Sequence, residues 1–567
     1  MKKPFILFSV IVFVLGFTSQ AQFSKYIIRF KDKAGTPFTI NNPLQYLSAR
    51  SIQRRVRQNI SIDSSDLPIT PRYIDSVRLA GNVIIINRSK WLNEVCIQTT
   101  DVAALAKISS FPFVISSNPV MRIQQQGNKE NTVTRNKFNE EISTTTTIAA
   151  IEKTTGDVLN YGNSSAQIHI HEGEFLHNNG FKGEGMLMAV FDAGYKNYLT
   201  VTAFDSVRNN NQIVETYDFV QNETSVNEDD PHGMYVFSII AANWPGKLIG
   251  SCPKAKFYLY RTEEVSSEYP IEEQNWAAAA ERADSIGVDV FTTSLGYTTF
   301  DNPVFNHTYA DMNGKITIIA RANTMAARKG IISVVAAGND GTNSWHYIGT
   351  PADADSIVTV GAVNASGVVA SFSSYGPASD GRVKPTVASV GQGTAFANLN
   401  SQPAFGNGTS FATPNLAGLI TCLWQAFPEF TNRQIIEALK RSSSIFTMPN
   451  DRIGYGIPNF HKAYNDLFQQ RILLQVNTIL GSNNWIKAYP NPFKANFSVL
   501  IKPKYSGTAS FKLYGADGKL YLSKQLITVQ GQAQFISVDN LQPLAKGIYI
   551  LHYVNVLEKG SIKIVAK

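Results

Sequence analysis

Three side chains in the middle of this 567-residue chain are of the types that can together activate a hydroxyl nucleophile. Asp192 follows an apolar run, His232 precedes a helical pattern, and Ser410 lies where a glycine-rich turn enters an apolar helix. A serine hydroxyl is a weak nucleophile that needs a base to take its proton, and histidine oriented by a carboxylate is such a base. The order Asp, His, Ser, with gaps of 40 and 178 residues, therefore predicts acyl-transfer chemistry.

The local sequence around Ser410 is suited to a nucleophile. A serine in the first turn of a helix lies beside unpaired backbone N–H groups and the positive end of the helix dipole, and both stabilise an oxyanion. Gly408 lets a substrate backbone approach closely. Each residue also has an ordinary structural interpretation when taken alone. Ser410 can cap its helix, Asp192 can form a turn, and His232 can be structural.

The elements that must position these residues alternate between strands and helices. Apolar runs predict strands, and helical patterns lie between them, so the sequence predicts α/β architecture with a parallel sheet and helices on both faces. Chemistry in such sheets lies at the carboxyl ends of the strands. The predicted strands are 186–191, 288–291 and 331–335, and the predicted helices are 275–286, 316–329 and 416–424.

Residues 160–465 resemble the subtilases, the subtilisin-like serine endopeptidases. The resemblance rests on Asp192-Ala193-Gly194, His232-Gly233-Met234 and Gly408-Thr409-Ser410-Phe411-Ala412-Thr413-Pro414, in the family's order. Ala193 and Met234 replace the usual hydroxyl residues, and Thr386 stands where related sequences often have Asp. The resemblance implies a subtilisin-like sheet and an Asp192, His232 and Ser410 triad that hydrolyses peptide bonds of proteins through an acyl-enzyme.

The resemblance also assigns the groups that hold the substrate. Asn339 takes the role of the oxyanion-hole donor, and Ser294-Leu295-Gly296 resembles the edge strand that pairs with the substrate. Gly349 corresponds to the floor of the pocket for the side chain before the cleaved bond, and a stretch ending at Gly338 forms a wall. Small residues on all sides predict a preference for Leu, Phe, Tyr or Met, unless an acid such as Asp353 reaches the pocket. His232 must be neutral to act as base, so activity is expected to rise through a pH of about 6.5.

The two ends of the chain differ from its middle. Residues 1–21 have the pattern of a signal peptide, and residues 22–126 are predicted as a small α+β unit. The resemblance to the subtilases implies that this unit is a propeptide that inhibits the enzyme. Residues 127–160 form a polar linker, and we expect maturation cleavage within about 127–165. The peptidase domain is predicted at 161–470, and short strands in 481–567 predict a β-sandwich. This tail resembles the type A C-terminal sorting domain of the type IX secretion system of Bacteroidota. That resemblance implies passage through the periplasm and outer membrane to the surface or medium.

Charge separates these parts of the chain. Residues 23–159 carry +7, residues 160–480 carry −9, and residues 481–567 carry +8, within a total of +8. The opposite charges favour association of the propeptide with the peptidase domain. No single basic face is expected, so nucleic-acid binding is not predicted. Three scattered cysteines predict no disulfide framework, and no later run is long enough for a transmembrane span.

Two other functions remain open at the level of sequence. A metalloprotease could use His169, His171, Glu172 and His177, although their strand-like alternation lacks the His-Glu-x-x-His helix pair. A non-catalytic adhesin could have kept the subtilase scaffold. No cofactor is predicted, and the family's calcium loops are not identifiable, so calcium dependence stays open.

Overall fold

The computed structural model describes residues 23–122, 137–138, 140–143, 156–480, 485–489, 491–493, 497–538 and 544–567. The predicted signal peptide and most of the predicted linker lie outside these residues. The chain divides into one compact unit that ends at His461 and a second from Lys462 to Lys567. Among the described residues, no helix combines the length and apolar character needed to cross a membrane.

The N-terminal region is a four-stranded antiparallel sheet with helices, as its sequence pattern predicts. The sheet order is β2-β3-β1-β4, and its core contains Ile28, Val77, Val95 and Ile108. Helix α1 begins where the Ser48 side chain accepts a hydrogen bond from the backbone N–H of Ser51. The elements are β1 (Phe23–Phe30), α1 (Ala49–Arg57), α2 (Pro71–Arg78), β2 (Ile84–Ser89), β3 (Glu94–Gln98), α3 (Val102–Ser109) and β4 (Val114–Arg122).

A seven-stranded parallel sheet forms the centre of the first unit and confirms the predicted fold class. Its order is β14-β13-β12-β11-β6-β10-β7, and every neighbouring pair is parallel. The strands of this sheet are β6 (Leu187–Asp192), β7 (Ile213–Asp218), β10 (Lys256–Arg261), β11 (Val290–Thr293), β12 (Ile332–Ala336), β13 (Val358–Val363) and β14 (Val387–Val390). Smaller sheets contain β5 (Glu141–Ser143), β8 (Asn243–Trp244), β9 (Leu248–Ile249), β15 (Gln392–Ala397) and β16 (Pro403–Asn407).

The helices of this unit include two that carry candidate catalytic residues. His232 is the first residue of helix α7, and Thr409, which precedes Ser410, is the first residue of helix α10. The helices of this unit are α4 (Ser165–His169), α5 (Glu174–Asn178), α6 (Asp205–Asn209), α7 (His232–Ala241), α8 (Ile271–Ile286), α9 (Ile318–Arg328), α10 (Thr409–Ala426) and α11 (Asn432–Ser442). Helix α12 (Phe460–Leu480) begins at the end of this unit and continues in the second. Four 3-10 turns lie at Pro43–Gln45, Thr202–Phe204, Pro303–Phe305 and Tyr309–Asp311.

The N-terminal region packs on α8 through buried ion pairs. Arg54 and Arg55 of α1 both contact the carboxylate of Asp284, the second at 2.8 Å, and all three side chains are at most 1% exposed. Burial raises the pKa of the Asp284 carboxyl, but Arg55 and Arg54 outweigh it, so this pKa lies below its ordinary value. The predicted charge complementarity is thus concentrated in a few desolvated contacts.

The second unit contains two antiparallel sheets that share one apolar core. The sheets have the orders β17-β18-β21 and β20-β19-β22-β23, and side chains such as Val499, Phe511 and Leu551 are buried between them. The short strands expected from the sequence of this region are present. The strands are β17 (Ile486–Tyr489), β18 (Phe497–Ile501), β19 (Gly507–Gly515), β20 (Leu520–Thr528), β21 (Gln534–Val538), β22 (Gly547–Val554) and β23 (Lys559–Ala566).

Candidate active site

Asp192 and His232 form a short, buried hydrogen-bonded pair. Asp192 is the last residue of β6 and His232 the first of α7, and His232 Nδ1 lies 2.6 Å from Asp192 Oδ1. The backbone N–H of His232 donates to Asp230 Oδ1 at 2.8 Å, which satisfies one free donor at this helix start. The contact with Asp192 fixes the imidazole so that Nε2 is the nitrogen left to meet a substrate or nucleophile.

The glycines of the two motifs allow this close approach. A Cβ on Gly233 would lie 2.4 Å from the Gly194 carbonyl oxygen and 2.7 Å from the Asp192 Cβ. Gly194 has φ +145°, and a Cβ there would lie 2.4 Å from the Cβ of Asp229. The Asp-x-Gly and His-Gly patterns therefore exist because the two backbones pack against each other without room for side chains.

Ser410 lies in the first turn of α10, next to the edge formed by Ser294. Its Oγ donates to the Ser294 carbonyl at 3.4 Å, and the Ser294 hydroxyl donates to the Ser410 carbonyl at 2.9 Å. That carbonyl is available because Pro414, four residues on, has no N–H with which to close the helical bond. The proline of the motif thereby leaves the Ser410 carbonyl free to accept the hydrogen bond from Ser294.

Asn339 is oriented by its neighbour Thr409. The Oδ1 atom of Asn339 accepts from the Thr409 backbone N–H at 2.8 Å and from the Thr409 hydroxyl at 2.9 Å. Its amide Nδ2 then donates to the carbonyl oxygen of Phe138 at 2.8 Å. An amide that donates to a peptide carbonyl beside a serine is the arrangement that stabilises an oxyanion.

The remaining predicted substrate residues line one cavity of about 80 Å³ beside Ser410. Its lining includes Ser294, Leu295, Gly296, Gly338 and Gly349. The cavity is also lined by acids that the sequence interpretation did not place there, Glu263 and Asp340. Asp353, the acid considered from sequence, is instead buried where it accepts from the Gly314 N–H at 2.7 Å.

A segment of the chain's own linker crosses this site. The ring of Phe138 stacks on the His232 imidazole, with centroids 3.8 Å apart and planes 5° apart. Strand β5 pairs antiparallel with β16, the strand that leads into the serine motif, so that Glu141 lies opposite Asn407. The polar stretch predicted as a linker therefore occupies the cleft with residues 137–138 and 140–143.

Glu140 of this segment contacts the candidate catalytic histidine, His232, directly. Its Oε1 lies 3.1 Å from His232 Nε2, and both side chains are 4% exposed. A Cβ on Gly408 would lie 2.8 Å from Glu140 Oε1, so the glycine makes room for this carboxylate. Burial lowers the pKa of His232, but Asp192 and Glu140 outweigh it and raise the pKa well above its ordinary value. Both carboxylates therefore favour the protonated form of the imidazole while the segment lies in the cleft.

The histidines of the metalloprotease alternative have other partners. In the segment that alternates like a strand in sequence, Ile168 and His169 are the last residues of helix α4, and Ile170 and His171 follow it. His171 bonds to the Pro458 carbonyl and the Ser389 hydroxyl, both at 2.9 Å, and His177 bonds to Tyr161 and Ser251. Burial lowers the pKa of His171 and of His177 to about 4. Among the described residues, the group that could hold a metal is Glu263, Glu268 and Glu272, and Lys137 Nζ lies among them.

Comparison with known proteins gives the family of each part. Residues 183–456 match the subtilase family, peptidase S8. Over 290 residues the chain is 30% identical to Subtilisin Savinase of Lederbergia lenta, covering 51% of this chain and 93% of that protein. The chain belongs to the subtilase family. It is 29% identical to Subtilisin E of Bacillus subtilis over 51% of this chain and 68% of that protein. It is 27% identical to the thermostable alkaline protease of Halalkalibacterium halodurans over 48% of this chain and 66% of that protein.

The regions on either side of this subtilase also match known families. Residues 25–139 match the peptidase S8 propeptide domain of Bacteroidota, and residues 487–567 match the secretion system C-terminal sorting domain. These matches confirm the resemblances drawn from the sequence for both ends. The protein is accordingly a secreted or cell-surface subtilase with its own propeptide domain.

Some residues at the site were not found from sequence. Lys137, Phe138 and Glu140 belong to a polar stretch whose composition gives no sign of a contact with the cleft. The acids at positions 263, 268 and 272 had a signal, since five glutamates fall within residues 263–273. That density of acid ahead of a predicted helix was the pattern from which the cluster could have been inferred.

Proposed function

We propose that this subtilase is a serine endopeptidase that hydrolyses peptide bonds of proteins with Asp192, His232 and Ser410. The observation that carries the proposal is the 2.8 Å hydrogen bond from Asn339 Nδ2 to the Phe138 carbonyl, because it holds a peptide carbonyl beside the serine. The groups required are all protein groups, so the proposal needs no cofactor.

The mechanism follows from these groups. Once Nε2 of His232 is free, it takes the Ser410 proton while Oγ attacks the carbonyl carbon, and Asp192 stabilises the imidazolium that forms. Asn339 Nδ2 and the Ser410 backbone N–H receive the negative charge of the tetrahedral intermediate. His232 then donates its proton to the leaving amine, which gives the acyl-enzyme, and a water molecule repeats the steps to release the acid.

The same geometry supports a precursor that matures by cutting itself. The inhibited state has Glu140 on His232 Nε2 and the Phe138 carbonyl on Asn339. We infer that the cut falls at the peptide bond between Phe138 and Asn139, because the Phe138 carbonyl is the one that Asn339 holds. The basic propeptide remains on the acidic face of α8 until its ion pairs are lost or it is degraded.

The cavity beside Ser410 supports a preference for an apolar residue before the cleaved bond. Its walls contain small residues, so a Leu, Phe, Tyr or Met side chain gains from leaving water there. Glu263 accepts a hydrogen bond from the hydroxyl of Tyr297, a partner that belongs to the peptidase domain itself. Asp340 accepts from Asn343 Nδ2 at 2.8 Å.

The C-terminal unit acts in secretion in this proposal, through the type IX machinery, and takes no part in hydrolysis. The alternative of a non-catalytic adhesin on the same scaffold predicts an unreactive serine. A fluorophosphonate probe separates the two, because it bonds covalently to an activated serine. We expect the probe to label the matured protein. The Ser410→Ala variant should not be labelled, whereas Ser366→Ala, the control at an exposed site, should be. Absence of labelling in correctly folded, matured protein would refute the proposed serine peptidase activity.

Maturation has its own test. The Ser410→Ala precursor is expected to accumulate uncut in a protease-deficient host, whereas the Ser366→Ala precursor is processed normally. Sequencing of the processed N-terminus should give Asn139 as the first residue. Normal processing of Ser410→Ala would mean that another enzyme makes the cut, and a different first residue would contradict the assigned bond.

A further inference from the structure

A buried cage of oxygen atoms surrounds the side chain of Lys137. Its Nζ lies 2.7 Å from a carboxylate oxygen of Glu272, 3.0 Å from one of Glu263 and 3.4 Å from one of Glu268. The backbone carbonyls of residues 264 and 267 accept from the same ammonium at 3.1 and 3.2 Å. These three carboxylates and two carbonyls are called the lysine cage below.

The peptidase domain holds two carboxylates of the lysine cage, those of Glu272 and Glu263, through partners other than Lys137. Glu272 accepts from the backbone N–H groups of Glu264 at 2.9 Å and Tyr269 at 3.2 Å. Glu263 accepts from the Tyr297 hydroxyl. Since these partners belong to the loop before α8 and to the substrate edge, the carboxylates keep their places when residues 137–143 leave.

The charge of the lysine cage selects for a cation. Glu263 and Glu272 have side chains 1% exposed and Glu268 8%, so three acids share a nearly dry space. Burial raises the pKa of Glu272 well above its ordinary value, and Lys137 opposes that rise. An occupant without positive charge leaves these carboxylates desolvated and unpaired, which is costly.

The position of the lysine cage connects it with the cleft. Lys137 and Glu263 both line the cavity that contains Ser410. The next residue, Phe138, has its carbonyl on Asn339 and its ring on His232. A substrate that follows the same path therefore brings the side chain before its Phe138-like residue to the lysine cage.

We propose that the lysine cage is a specificity subsite for a lysine side chain, filled first by Lys137 of the precursor and afterwards by lysines of protein substrates. The lysine lies one residue before the residue whose carbonyl meets Asn339. The inference rests on the proposed peptidase function, which it makes specific for sequences of the type Lys-Phe.

Two matched peptides test the subsite on the mature wild-type enzyme. One carries the chain's own residues 136–143, Asn-Lys-Phe-Asn-Glu-Glu-Ile-Ser, and the other has Met in place of Lys, which keeps an unbranched side chain without the charge. Charge-assisted hydrogen bonds are the strong class, so we expect kcat/KM to be roughly 10- to 100-fold higher for the lysine peptide.

Substitution of the cage glutamates tests whether they cause the preference for lysine. Glu272→Gln should reduce the lysine-to-methionine ratio of kcat/KM to within about threefold, because it removes the closest carboxylate charge and keeps the shape. Glu437→Gln is the control and should keep the ratio, since that carboxylate is exposed on α11 and pairs with Lys440. Thermal unfolding of both variants identifies any loss of fold.

The outcomes separate this inference from the proposed function. Equal kcat/KM for the two peptides on the wild-type enzyme would overturn the subsite while leaving the peptidase intact. A lysine preference that millimolar calcium abolishes and a chelator restores would also overturn it, in favour of a metal site. If neither peptide is cut and the fluorophosphonate probe does not react, the proposed function itself has failed.

Discussion

The contact between Glu140 and His232 gives a prediction about how the precursor restrains itself. In Glu140→Gln the carboxylate that stabilises the imidazolium is replaced by an amide of the same shape. The raised pKa of His232 means that the contact holds the segment in place at low pH, and that its contribution is lost as pH rises through this pKa. We therefore expect the variant to mature faster than the wild type at neutral and mildly acidic pH.

The magnitude follows from the geometry of the pair. Both side chains are 4% exposed and 3.1 Å apart, so water screens the interaction little. A hydrogen bond to a charged group contributes about 1.5–3 kcal/mol. At about 1.4 kcal/mol for each factor of ten, its loss raises the fraction of neutral imidazole roughly 10- to 100-fold at pH values where the wild-type ring is protonated. The maturation rate should rise by up to the same factor.

Two assays measure this effect. The denatured precursor is diluted into buffers from pH 5 to 9, and cleavage is followed on gels while tryptophan fluorescence reports folding in parallel. The imidazole of His232 is titrated by NMR in the Ser410→Ala precursor with and without Glu140→Gln. Glu141→Gln is the control, because Glu141 is exposed and its carboxylate bonds to Asn407. Identical pH profiles for Glu140→Gln and wild type, or an equal shift in Glu141→Gln, would refute the reasoning.

Four further predictions concern other parts of the molecule. Asn339→Ala should lower kcat by about 10²–10³-fold with little change in KM, as steady-state kinetics will show. Asp284→Asn should destabilise the Ser410→Ala precursor by about 3–5 kcal/mol in denaturant unfolding, because it leaves two buried arginines without their shared carboxylate. The control Asp75→Asn, which breaks an exposed ion pair, should change the free energy of unfolding by less than about 1 kcal/mol. Deletion of residues 481–567 should leave a folded peptidase retained in the periplasm, and its appearance outside the native cell would contradict the sorting role. A peptide-library digest read by mass spectrometry should give cleavage mainly after Leu, Phe, Tyr or Met, and dominant cleavage after Lys or Arg would contradict the apolar cavity.

The parts of the site that sequence predicted are those whose physical requirements are local. Asp192 ends a buried strand, and Ser410 follows a glycine-rich turn into a helix, so each has a recognisable neighbourhood. Gly194 and Gly233 mark backbones that pack without side chains, and Pro414 frees the carbonyl that anchors the serine. Because such requirements restrict which residue types can follow one another, they can be recognised in the amino-acid sequence. The seven-stranded sheet was predictable for the same reason, since buried parallel strands are continuous apolar runs.

Other features depended on contacts between residues far apart in the chain. Glu140 reaches His232 across 92 residues, and Lys137 reaches Glu272 across 135, from a polar stretch whose composition suggested only a linker. The four residues from Ile168 to His171 alternate as in a strand, yet their N-terminal part lies in α4, because so short a run has no definite period. The sequence alone determined the family, the sheet and the three catalytic residue types. Only the tertiary structure decided which groups occupy the cleft, because that depends on how a folded loop meets carboxylates held by distant elements.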